Sequence, residues 1–172
     1  MKYFNGFSLQ NEEGFFREYL TDDAFTVAGF SYGTQQAFEY AYRSTERIDR
    51  LILLSPAFFQ TQKASFIRTQ LHYFEAGQEA YVKQFLDNVS YPSDVNLAPY
   101  LSIGTKDELD ALLSYVWKEE KIQTLLDKGI TIEVFLGEKD KIINVEDAHT
   151  FFTKQCTTYS MKNCGHILKG QL

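Results

Sequence analysis

Cysteine, histidine and proline are all scarce in this chain: two, three and three residues in 172. Two cysteines, Cys156 and Cys164, cannot make the multi-bridge framework of a small secreted domain, and reduced thiols are the expectation. The three histidines are dispersed, and no Cys or His pair stands at a metal-ligand spacing, so no metal site is expected, nor any cofactor. No stretch approaches the ~20 uninterrupted apolar residues of a membrane span. Met1-Lys2-Tyr3-Phe4 runs directly into Asn5-Gly6 without a basic-then-apolar leader, which makes the cytoplasm the expected location. Positive charge is also in deficit. A net charge of −6 argues against a general nucleic-acid binder. The deficit is uneven: residues 41–72 carry +3, against −4 before them and −5 after. What is abundant is apolar and aromatic surface, 44% hydrophobic residues with 15 Phe and 11 Tyr, enough for one folded domain with a real core.

Patterning alternates between strand and helix. Lys2 to Asn5 reads as a short strand and Glu12 to Leu20 as a helix, with Asn11 as its cap and Glu12-Glu13 in the first turn. Ala24 to Ala28 reads as a buried strand, and Thr34 to Tyr42 as a helix. Arg50 to Leu54 and Ile130 to Leu136 are further apolar strands. Val145 to Thr153 predicts a helix and Thr157 to Met161 a last strand. Such alternation predicts an α/β fold around a mainly parallel sheet of about five strands with right-handed crossovers. Residues 60–128 show helical periodicity only, broken at Gly77, Tyr91-Pro92 and Pro99. They read as a helical lid inserted into a core formed by residues 1–59 and 129–172.

Between the second strand and its helix stands Gly29-Phe30-Ser31-Tyr32-Gly33, a G-x-S-x-G. A serine on so sharp a turn projects its hydroxyl beyond the sheet, and glycines on either side avoid Cβ collisions. Here the chain resembles the α/β-hydrolases, whose nucleophile elbow has this form. A serine hydroxyl needs a base, and the imidazole needs an acid to set its tautomer; in that family they follow in the order Ser, Asp or Glu, His. His166 lies directly after the last predicted strand, whereas His72 falls in the lid and His149 inside a helix. Asp140, in Gly137-Glu138-Lys139-Asp140, precedes His166 by 26 residues, room for one helix and one strand. Glu138 is the weaker alternative. Ser31, Asp140 and His166 are therefore the expected catalytic triad. Two backbone N–H groups are expected to form the oxyanion hole: that of Tyr32, and that of Phe7 in the loop after the first strand. Cys164, two residues from His166, is read as packing and not as a nucleophile.

With these motifs, the strand end Leu54-Ser55-Pro56 and Cys164-Gly165-His166, most of the chain resembles the pimeloyl-[acyl-carrier protein] methyl ester esterases of bacterial biotin synthesis, in a short form. Phe66-Ile67-Arg68-Thr69-Gln70 is similar to an F-L-x-L-Q segment of longer relatives, matching at Phe66 and Gln70 and departing at Thr69. The resemblance implies that Phe7, Tyr32 and Phe66, Ile67, Arg68, Thr69 and Gln70 contact the acyl chain. It also implies that the basic Lys63 and Arg68 meet an acidic acyl carrier protein. Three strands of the family's usual sheet have no counterpart here, which makes this a minimal α/β-hydrolase with an exposed edge strand that a homodimer could cover. The implied reaction is hydrolysis of the methyl ester to pimeloyl-[acyl-carrier protein] and methanol. A generic carboxylesterase or thioesterase for small acyl substrates, and a non-catalytic binding protein on the same scaffold, remain open.

Overall fold

A computed structural model of the chain describes residues 1–171. Five strands lie side by side in chain order and all run parallel: β1 (Lys2–Phe4), β2 (Thr26–Phe30), β3 (Arg50–Leu54), β4 (Thr131–Gly137) and β5 (Thr157–Met161). The middle strand, Arg-Leu-Ile-Leu-Leu, is buried on both faces after its first residue, as a central parallel strand must be. Side chains at paired positions share a face. Phe30, Leu54, Phe135 and Tyr159 therefore form one row across the sheet.

α1 (Tyr32–Arg43) packs on β2 and β3, and α6 (Val145–Phe152) on β4 and β5. α2 (Ala64–Ala76), α3 (Gln78–Ser90) and α4 (Lys106–Ser114) form the cover between β3 and β4. α5 (Glu119–Asp127) does not belong to that cover, although it falls within the predicted lid. It lies against α1, tied by Lys121 to Glu39 (2.6 Å), and the preceding Trp117 packs edge-on to Phe38 and Phe152. The helical insertion therefore returns to the sheet layer before β4. It is also anchored within: the buried Gln35 amide donates from α1 to the carbonyls of Ala57 and Leu112 (3.0 and 2.9 Å).

The largest departure from expectation is at residues 12–20. In place of a capped helix there is only a 3-10 turn at Glu12–Phe16; Asn11 is left-handed (φ 58°) and makes no side-chain cap. Gly14 weakens a helix there, and the aromatic residues reach the sheet individually. Phe16 packs on Phe30, Tyr19 on Phe135, and Phe15 on Tyr100. Tertiary contacts override the local helical pattern. β2 also begins two residues later than expected, leaving Ala24 and Phe25 exposed, and continues to the residue before Ser31. Among the described residues no helix is long and apolar enough to cross a membrane.

Candidate active site

Ser31 sits between β2 and α1 with φ 52° and ψ −116°, a conformation that an L-residue adopts only under constraint. The constraint is visible. Its N–H donates to the Leu54 carbonyl (2.9 Å), and its carbonyl accepts from the Thr34 hydroxyl (2.5 Å) and N–H (3.0 Å). The flanking glycines are required by space: a Cβ on Gly29 would stand 2.2 Å from the Gly33 carbonyl oxygen, and one on Gly33 would stand 2.1 Å from that of Phe4. The bend can close only because both positions lack a side chain.

Three strand ends deliver the polar groups. From the loop after β5, His166 brings Nε2 to 2.8 Å from the Ser31 Oγ. From the turn after β4, Asp140 brings Oδ2 to 2.5 Å from the His166 Nδ1. Both side chains are fully buried. With Asp140 ionised, Nδ1 carries the imidazole proton, and Nε2 is left to accept from the Ser31 hydroxyl. The other Asp140 oxygen accepts the N–H groups of Ile142 and Ile143 (2.6 and 3.2 Å), so the carboxylate cannot swing away. After β3, Ser55 donates its hydroxyl to the His166 carbonyl (2.6 Å) and fixes the histidine loop from below. The alternatives are elsewhere: Glu138, His72 and His149 are all exposed. Both cysteines are free thiols, and burial pushes Cys156 up to about 12 and Cys164 upward, the wrong direction for a thiolate nucleophile.

Tyr32 opens α1, where the first N–H groups of a helix lack intrahelical acceptors. Among the described residues, neither its N–H nor that of Phe7 donates to a protein acceptor. Both are therefore unengaged donors, one at the start of α1 and one in the loop after β1.

Two cavities lie beside this centre. The first, of about 610 Å³, is walled by Phe59, Phe66, Phe85, Leu109, Leu112 and Leu113, and Lys141 and Ile142 bring it up to the Asp140 turn. The second, of about 490 Å³, is more polar and is lined by Asn5, Gly6, Phe7, Tyr32, Gln36 and Glu108 among others. Phe7 stands between them, since its ring packs edge-on to Phe85 of the first while it lines the second. Ser31 itself is 3% exposed.

The five-residue lid motif is divided by helix geometry. Phe66 and Gln70, one turn apart on α2, face the first cavity. Ile67 packs against the core instead, and Arg68 and Thr69 are exposed on the far side of α2. Of the five residues expected to contact an acyl chain, Ile67, Arg68 and Thr69 do not line this cavity, because a helix turns ~100° per residue. Lys63 and Arg68 are both exposed and, among the described residues, in no ion pair. Phe7 and Tyr32 line the second cavity and not the first.

The other cavity walls, Phe85, Leu109, Leu112 and Leu113, have an apolar helical spacing that is visible in the sequence, but the direction they face is not. Glu12 is likewise not marked by local pattern; it is fully buried behind the loop carrying Phe7.

The alpha/beta hydrolase fold family matches residues 8–170 of this chain. No curated protein matches it. Among solved structures it is similar to BioG from Haemophilus influenzae, with a TM-score of 0.61 at 12% identity over 96% of this chain and 87% of that one. MenH from S. aureus gives 0.60 at 15% identity over 95% and 85%. The carboxylesterase CesB from Bacillus subtilis gives 0.57 at 18% identity over 83% of this chain and 53% of its own, so the chain spans about half of that enzyme's length. At these identities the likeness is one of fold. The match over nearly the whole length, with a serine elbow, an aspartate and a histidine following three separate strands, places this chain in the alpha/beta hydrolase family.

Proposed function

We propose that the chain is a serine esterase that hydrolyses the methyl ester of pimeloyl-[acyl-carrier protein], releasing methanol and the free carboxylate. The observation that carries an esterase reading is the continuous Ser31–His166–Asp140 hydrogen-bond relay with an apolar cavity reaching its aspartate turn. A cavity of about 610 Å³ is of the size that small-molecule sites use, ~300–1,000 Å³.

In this mechanism the Ser31 Oγ attacks the ester carbonyl while the His166 Nε2 takes its proton. The N–H groups of Phe7 and Tyr32 receive the developing oxyanion. Collapse of the tetrahedral intermediate breaks the C–O bond to the methoxy group, and His166 returns its proton to release methanol. Water then attacks the acyl-enzyme, giving one proton to His166, which passes it to Ser31 as the acyl C–O bond to Ser31 breaks; the released acid loses its remaining proton to solvent and becomes the carboxylate. Asp140 stabilises the imidazolium in both halves. The methylene chain lies against Phe66, Phe85 and the leucines of α4. The unpaired cations Lys63 and Arg68 face outward, where an acidic carrier protein would dock.

Hydrolysis of methyl-pimeloyl carrier protein by the purified chain, followed by methanol release, tests this directly. Complementation of a biotin auxotroph that lacks the esterase should succeed with wild type and fail with Ser31→Ala. Activity on short p-nitrophenyl esters alone would assign a generic esterase instead. That second reading gains from one observation: Ile67, Arg68 and Thr69, three of the five lid residues behind the pimeloyl resemblance, do not line the cavity. If a fluorophosphonate fails to label Ser31 in folded protein, the chain is a binding protein on a hydrolase scaffold.

A further inference from the structure

One buried carboxyl has no part in the relay. Glu12 is 0% exposed, in the 3-10 turn immediately after the loop that carries Phe7. Its Oε1 accepts the Gly6 N–H at 2.7 Å and the Tyr3 hydroxyl at 3.2 Å, while Oε2 is buried without a partner among the described residues. Burial pushes this carboxyl upward, against the pull of its N–H donors, and burial with the adjacent Glu12 pushes the Tyr3 phenol upward as well. Burying a carboxyl with one oxygen unsatisfied is costly, so it calls for an explanation beyond surface solvation.

The geometry points to Glu12 as the positioning residue of the oxyanion hole. Gly6 packs against the Phe30 ring, where a Cβ would stand 2.8 Å from it, so the position is a glycine and has no side chain of its own to set the loop's direction. Each of the two peptides that meet at its Cα is held by one hydrogen bond. The Asn5–Gly6 peptide is held by Glu12 through the Gly6 N–H. The Gly6–Phe7 peptide is held through the Gly6 carbonyl, which accepts from the Leu9 N–H at 3.2 Å. In a trans amide the N–H points opposite to the C=O, so the second bond directs the Phe7 N–H away from Leu9. The first bond limits rotation of the loop about Gly6. Asn5 adds a tie to the same segment, its side-chain oxygen accepting the Asn11 N–H at 3.2 Å. Removing the Glu12 acceptor leaves the Gly6 N–H without its partner and the Phe7 N–H less firmly aimed, while the Ser31–His166–Asp140 relay stays intact.

This inference rests on the esterase reading, and the experiment separates the two. Wild type, Glu12→Leu, Glu12→Gln and Glu12→Asp are compared on p-nitrophenyl butyrate, with rates referred to active sites titrated by a fluorophosphonate. Loss of one oxyanion donor costs about 10²–10³ in kcat, so a misaimed donor should cost roughly 10-fold or more. The expected result is that Glu12→Leu lowers kcat by that factor with KM nearly unchanged, and slows fluorophosphonate labelling in parallel. Glu12→Gln, which keeps an acceptor for the Gly6 N–H, should recover most of the loss. Glu12→Asp keeps the charge but withdraws the acceptor by one methylene, and should lose kcat as Glu12→Leu does; it decides the matter if Glu12→Leu does not fold. The Gly6 amide proton should move upfield in the impaired variants and not in Glu12→Gln. Wild-type kcat in Glu12→Leu or Glu12→Asp, a change in KM alone, or a Glu12→Gln as impaired as Glu12→Leu would overturn the proposal while leaving the esterase reading standing. A wild type that neither hydrolyses esters nor is labelled overturns the esterase reading and this one with it.

Discussion

At the scale of single residues, hydrogen bonds hold groups that would otherwise move. Ser31 is kept at positive φ by bonds to Leu54 and Thr34, and Asp140 is held by two backbone N–H groups of its own turn. Asp140→Asn leaves the relay isosteric but presents an amide where Nδ1 needs an acceptor. Its kcat on p-nitrophenyl esters should fall by roughly 10⁴ with the fold unchanged by circular dichroism. Glu12 makes a prediction about stability as well. Its folded carboxyl is pushed above the unfolded value, so between the two values the folded chain retains a proton that the unfolded chain has released. Stability contributed by this group is therefore full below the unfolded carboxylate range, about pH 4, and is lost as pH rises through the raised folded value. Glu12→Gln removes that loss. Urea midpoints for wild type and variant, measured at acid and at neutral pH, should diverge in the variant's favour as pH rises.

Elements carry the next set of constraints. β2, the elbow and α1 form one unit because Gly29 lies on the Gly33 backbone and Gly33 lies on the Phe4 carbonyl. A Gly33→Ala methyl would meet backbone at 2.1 Å, which no rotamer change relieves. A loss of more than about 3 kcal/mol in urea unfolding is expected, with β1 and the Phe7 loop displaced first. α4 acts differently, by supplying a wall. Leu113→Trp would fill part of the first cavity from its leucine side. Rates on p-nitrophenyl octanoate should then fall about 10-fold relative to those on the acetate if that cavity receives the acyl chain. Elements are also where local sequence pattern was most and least informative. β3 and β5 have the bounds their apolar and β-branched runs predict, because both are short runs closed off by turn residues. The helix expected at Glu12 to Leu20 is absent because Phe15, Phe16 and Tyr19 gain more by packing on three different partners than from a helix interrupted by Gly14.

The whole molecule is acidic, yet its basic stretch is only partly free. Arg43, Arg47 and Arg50 are paired with Glu39, Asp49 and Glu133, which leaves Lys63 and Arg68 as the exposed cations of that stretch without an ion pair among the described residues. Charge reversal at both positions should raise KM for a carrier-borne ester roughly 10-fold at low ionic strength, far more than KM for a small ester, and the difference should shrink in high salt. Equal effects on both substrates would show that this face does not receive the carrier.

Local pattern by itself determined the five strands and the serine turn, which follow from residue type and spacing acting over a few neighbours. The choice of Asp140 and His166 as partners of Ser31 needed, in addition, the resemblance to a family with that chain order. Tertiary structure alone decided the 2.8 and 2.5 Å contacts that join those three groups across 135 and 26 residues of chain. It decided as well that Phe66 and Gln70 face the cavity while Arg68 and Thr69 face water, and that α5 belongs to the sheet layer and not to the cover. Glu12 shows the limit most plainly. Its position in an acidic pair fits a solvated first turn, and only packing against Tyr3 and Gly6 makes it a buried acceptor, because burial is a property of what surrounds a side chain and not of the side chain itself.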